Sequence, residues 1–140
     1  MVNKEERIMG IDFGEKRIGI ALSDPFRLFA YPFKTLSNNS NFWTQIGNII
    51  KEKNVTKILL GLPPESSSSS NAFRKKVEKF KADIEKKLKI SVLFWDEEFT
   101  SAIAKEKVLE SVTKKAKRRD KSLLDSISAA IILQEFLDAQ

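Results

Sequence analysis

Gly10-Ile11-Asp12-Phe13-Gly14-Glu15-Lys16-Arg17-Ile18-Gly19-Ile20-Ala21-Leu22-Ser23-Asp24 follows the apolar pair Ile8-Met9, halts at a carboxylate close to two glycines, and resumes as a second apolar run. Two β-prone runs separated by a short polar, glycine-bearing turn predict a β-hairpin. Asp12 is expected on the central portion of the first strand, with Gly14 easing the bend. A carboxylate in an apolar strand is costly unless it is partnered. The candidate partners are Lys16 or Arg17 across the turn, or a divalent cation.

Outward from the hairpin, Leu28–Leu36 is a third apolar segment, which Pro32 assigns to an edge or a bent strand. Asn38–Asn41 supply turn and cap chemistry, and Phe42, Trp43, Ile46, Ile49 and Ile50 then recur at helical spacing. Lys57–Leu62 reads as a buried strand, followed by Pro63-Pro64 and a low-complexity run, Ser66–Ser70, expected to be mobile. Phe73, Val77, Phe80, Ile84 and Leu88 mark one face of a long helix with a lysine-rich exterior. Ile90–Trp95 is the fifth strand, and it ends at Asp96-Glu97-Glu98. A helix is expected from about Thr100 to Ser111, then a basic loop, then a helix over Ser122–Leu137 that is apolar on most sides and therefore buried. Trp43 and Trp95 fall within apolar patterns and are assigned to the core, with base stacking as the other reading.

Three strands in a meander followed by alternating helix and strand predict an α/β fold with a mixed five-stranded sheet flanked by helices. This is the ribonuclease H-like layout. At 140 residues the chain is expected to form a single domain over residues 1–140. Its net charge of +6 suits a polyanion such as nucleic acid. With no cysteine and no histidine, thiolate sites and imidazole bases are excluded, leaving carboxylates, lysines, hydroxyls and hard cations. No segment has the build of a signal peptide or a membrane span, so a soluble cytoplasmic protein is expected.

Asp12, Glu97 and Asp125 stand where the chain leaves apolar structure. Phosphodiester hydrolysis uses metal ions that activate a water and stabilise the leaving oxygen, and Mg²⁺ favours a few carboxylates. In an open α/β sheet such acids converge at the carboxyl ends of parallel strands. Each acid also has a structural explanation. Asp12 could pair with Lys16 or Arg17, Glu97 could favour a helix N-terminus, and Ser122-Leu123-Leu124-Asp125 has the form of a capping box. Lys114, Lys115, Lys117, Arg118, Arg119 and Lys121 crowd eight positions and could hold a phosphate backbone, as could Lys16 and Arg17; a solvated loop is the alternative.

The hairpin resembles the opening motif of the YqgF family, RuvC-like proteins described as Holliday junction resolvases and associated with maturation of the 5′ end of 16S ribosomal RNA. Four further blocks are similar to that family in order. They are Ala30-Tyr31-Pro32-Phe33-Lys34-Thr35-Leu36, Gly61-Leu62-Pro63, Asp96-Glu97-Glu98-Phe99-Thr100-Ser101, and Asp125–Gln134. The resemblance implies a ribonuclease H-like, Mg²⁺- or Mn²⁺-dependent nuclease with Asp12, Glu97 and Asp125 as catalytic metal ligands. It implies a nucleic-acid partner, with pre-rRNA favoured and branched DNA as the alternative, and contact with ribosomal particles; with no clear dimer helix in the sequence, a monomer or weak dimer is expected. Two departures stand out: Glu98 replaces the family's arginine, and Pro64, Glu65 and the serines replace an N-x-D-G stretch. These keep open a catalytically weak RNA-binding factor. A nucleotide-binding ATPase or sugar kinase, which the Asp12-Phe13-Gly14 turn also resembles, would need a second similar half.

Overall fold

The computed structural model describes residues 6–63, 68–97, 102–110 and 121–140. Five strands, β1 (Arg7–Asp12), β2 (Arg17–Ser23), β3 (Ala30–Ser37), β4 (Val55–Leu62) and β5 (Ser91–Asp96), form one sheet in the order β3-β2-β1-β4-β5. The β1–β2 and β2–β3 pairs are antiparallel, whereas β1–β4 and β4–β5 are parallel. This is the mixed sheet expected from the meander and the helix–strand alternation after it. β3 is an edge strand, and its register slips between Pro32 and Lys34, where proline lacks a donor for the ladder.

Helices α1 (Phe42–Glu52) and α2 (Ser68–Leu88) cover one face. Met9, Ile11, Ile20, Ile58 and Leu60 meet Phe42, Ile46, Val77, Phe80 and Ile84 there in one buried cluster. α2 starts inside the serine run expected to be mobile, since Ser68–Ser70 form its first turn.

The other face carries α3 (Ala102–Glu110) and α4 (Lys121–Asp138). α4 is buried from Ser126 to Leu137 except at Ser128, as its all-round apolar sequence requires. It can lie this close because the strands beneath it present glycines. A Cβ on Gly10 would stand 2.9 Å from the Ala129 carbonyl oxygen, and one on Gly19 would stand 2.0 Å from that of Asp125. Gln134 anchors α4 to the start of β3: its Oε1 accepts from the Ala30 amide at 2.8 Å, and its Nε2 donates to the Leu28 carbonyl at 3.0 Å. Among the described residues, no helix is long and apolar enough to cross a membrane.

Candidate nuclease site

β1, β4 and β5 run parallel, so their carboxyl ends share one edge of the sheet. Asp12 is the last residue of β1 rather than a mid-strand residue. Strand alternation puts it on the same face as Gly10, the face covered by α4. Glu97 directly follows β5 on the same edge. Between the two strands lies β4, and the residue it offers there is Gly61. A Cβ at Gly61 would come 3.4 Å from Cγ and Cδ of Glu97 and 2.7 Å from Cδ1 of Ile132. The missing side chain is therefore the space through which Glu97 leans across β4 toward Asp12.

Asp125, in the second turn of α4, arrives over β2, where its own carbonyl passes above Gly19. Because α4 begins at Lys121, Ser122 is already inside the helix and does not stand before it as a capping box requires. The Asp125 carboxylate accepts from Nε of Arg17 at 2.8 Å. Of the two partners suggested for Asp12 from sequence, Arg17 is thus engaged by an acid 108 residues further on. Lys16 is exposed on the turn.

Electrostatics records the proximity of the acids. The Asp12 carboxyl is pushed up to about 7, first by burial and then by the negative charges of Glu97 and Asp125. Glu97 is also raised, by burial and then by Asp96. Asp12 thus feels both other acids, yet among the described residues no three acidic side chains are drawn tightly enough to form a ready ligand cluster. With Asp125 on Arg17, the arrangement is an acid pair with a third carboxylate held aside. Lys121 opens α4 at this edge, while Lys114, Lys115, Lys117, Arg118, Arg119 and Glu98 lie outside the described residues.

Gly14 allows a tight bend by leaving room, not by a left-handed backbone. None of the described glycines has positive φ, and a Cβ there would sit 2.4 Å from the Arg17 carbonyl oxygen. Sequence reasoning passed over Gly19 and Gly61 as parts of the site. Their signal was a glycine inside an otherwise apolar strand, which marks close approach by another segment.

Comparison with known proteins bears on the family and the fold. The family model described as "RuvX: Holliday junction resolvase" matches residues 6–139. A Sulfurihydrogenibium protein named "Putative pre-16S rRNA nuclease" is 38% identical over 136 residues, covering 94% of this chain and 90% of its own length. A Bacteroides fragilis protein of the same name is 37% identical, with 96% and 97% covered. Among solved structures, T. thermophilus RuvC in complex with a Holliday junction substrate superposes with a TM-score of 0.62 at 14% identity, covering 96% of this chain and 94% of that one. The fowlpox virus resolvase in its Holliday junction DNA complex gives 0.53 at 12% identity, with 95% and 97% covered. These likenesses establish the ribonuclease H-like fold of the resolvases.

Proposed function

The chain belongs to the RuvX Holliday junction resolvase family of phosphodiester-hydrolysing enzymes, and from that premise we propose that it is a divalent-metal-dependent nuclease that processes the 5′ end of pre-16S ribosomal RNA in the cytoplasm. The name shared by its 37–38% identical relatives, pre-16S rRNA nuclease, supports the RNA substrate. The observation that carries the reading is the crowding of Asp12 by Glu97 and Asp125 at the carboxyl edge of the sheet.

Such a site suits a hard cation. All three donors are carboxylate oxygens, the ligand type that Mg²⁺ and Mn²⁺ prefer. A cation would offset the repulsion that raises the proton affinity of Asp12. Asp12, Glu97 and Asp125 would hold it, the last after release from Arg17. When bound, the metal would supply Lewis-acid activation of water and stabilisation of the leaving oxygen.

The chain's own residues do the rest. Burial and the two neighbouring acids push the Asp12 carboxyl up to about 7, so near neutral pH a proton competes for it with a cation at this edge. Arg17, once off Asp125, presents a planar guanidinium to the phosphate, while Lys16 adds a second positive charge at the same turn. The basic stretch Lys114–Lys121, which precedes Asp125 closely in sequence, would hold the backbone without sequence choice.

Asp12→Asn, assayed on a pre-16S 5′ leader, is expected to lose cleavage while keeping or strengthening RNA binding, because a repelling charge is gone. Unchanged cleavage would overturn the assignment. Resolution of four-way DNA junctions is the second reading, favoured by the family's own description. Faster cleavage of a four-way junction than of the leader would select it.

A further inference from the structure

On the opposite face from the acids, a cleft of about 330 Å³ opens between the β1–β2 turn, α1 and α2. Phe13, Trp43 and Phe80 line it, and Glu15, Asn38, Lys76, Lys79 and Asp83 surround it. Building on the nuclease reading, we propose that this cleft binds one unpaired nucleobase of a single-stranded segment adjoining the cleaved phosphate.

The lining is aromatic and connected. The Phe13 and Phe80 ring centroids are 4.6 Å apart, and those of Trp43 and Phe80 are 5.8 Å apart. Trp43 is only partly buried, and Lys87, itself exposed, stands 4.5 Å from its ring centroid as a cation–π partner that an incoming base would displace. Aromatic faces of this kind accept any base, since every base has a π-face.

The surrounding groups argue against a bare phosphate. Two carboxylates accompany the two lysines, and an amide adds both donor and acceptor capacity. A base edge carries the same mixture of donors and acceptors. Lys76 and Glu15 form an ion pair that ties α2 to the turn. Both side chains are more than half exposed (57% and 58%), so the pair can open to a ligand at little cost. Asn38 holds the turn in place, donating from Nδ2 to the Gly14 carbonyl at 2.9 Å. The volume is at the small end for ligand sites and matches one planar group.

Position supplies the connection to the acids. Phe13 directly follows Asp12, and successive residues of an extended chain point to opposite sides. A strand bending over the carboxyl edge from Asp12 would therefore meet Phe13 next.

The test uses metal-free protein, so its outcome does not depend on cleavage. Titration with a single-stranded RNA of roughly ten nucleotides is expected to quench tryptophan emission, and Trp43→Phe is expected to remove most of that quench. Trp43→Leu should weaken single-strand binding about tenfold, the scale of one lost base–aromatic stack, with duplex binding unchanged. Lys76→Ala with Lys79→Ala removes two exposed ion pairs, to Glu15 and Asp83, and should weaken single-strand binding while lowering the melting temperature by no more than a few degrees. Absence of quenching, quenching that persists in Trp43→Phe, equal loss for duplex and single strand, or AMP acting as well as the strand would each overturn the proposal. Loss of cleavage in Asp12→Asn without a Trp43 response would leave the nuclease reading standing and remove only the cleft.

Discussion

Asp12→Asn keeps the shape of the side chain and removes its charge, so its effect on the stability of the metal-free protein can be worked out from the surroundings of Asp12. In the folded chain this carboxyl titrates at about 7, against an ordinary value of 3.8. A raised carboxyl means that the native state holds its proton to higher pH than the unfolded chain does. The contribution of Asp12 is therefore neutral below about pH 4 and increasingly unfavourable up to about pH 7, then constant. Each pH unit in that interval is worth about 1.4 kcal/mol, which gives a ceiling of about 4 kcal/mol at pH 8. Relaxation and water reaching a half-buried carboxylate reduce this, and a gain of about 2 kcal/mol for the variant is expected. Urea unfolding of both proteins in EDTA at pH 4, 6 and 8 measures it. The advantage of the variant should be absent at pH 4 and should grow with pH. Saturating Mg²⁺ at pH 8 should then stabilise the wild type and narrow the gap. A variant no more stable than wild type at pH 8, or a gap that ignores pH, would refute the reasoning.

Other substitutions probe the remaining parts of the site. Gly61→Ala places a methyl 2.7 Å from Ile132 Cδ1 and 3.4 Å from Glu97, so a loss of about 1–3 kcal/mol in urea unfolding is expected, with cleavage falling by more than that loss explains. Arg17→Gln frees Asp125 from an exposed ion pair, so stability should change by less than about 1 kcal/mol; calorimetry should show Mn²⁺ binding more tightly, because no guanidinium must be displaced. Replacing Lys114, Lys115, Arg118 and Arg119 by Ser should weaken RNA binding and flatten its dependence on salt concentration, measured by anisotropy from low to high KCl.

The order of strands and helices was legible because periodicity switches cleanly along this chain. Two apolar runs around a polar, glycine-bearing turn mark the hairpin, 3.6-residue spacing marks Phe73–Leu88, and an all-round apolar stretch marks the last helix. Boundaries were less so. Ser68–Ser70 carry no apolar pattern, and their helical state depends on the apolar face that begins at Phe73. Asp12 closes β1 rather than sitting within it because pairing to β4 ends at Ile11–Leu60 and the last rung to β2 is Asp12–Gly19. The three acids could be named from the order of their motifs, but their mutual distances depend on glycines and on helix placement. The pairing of Arg17 with Asp125 spans 108 residues and has no local signal. Trp43 shows the same limit. Its apolar neighbours assign it to the core, whereas it packs against the core only partly buried, and the packing of α1 against α2 leaves it bordering a cleft.

Crystals soaked in Mn²⁺ and measured for anomalous scattering would test the nuclease assignment most directly. The expected result is a peak coordinated by Asp12 and Glu97, with Asp125 swung from Arg17 to join them. A map with no peak at the carboxyl edge of β1 and β5, under conditions where the protein cleaves RNA, would contradict it.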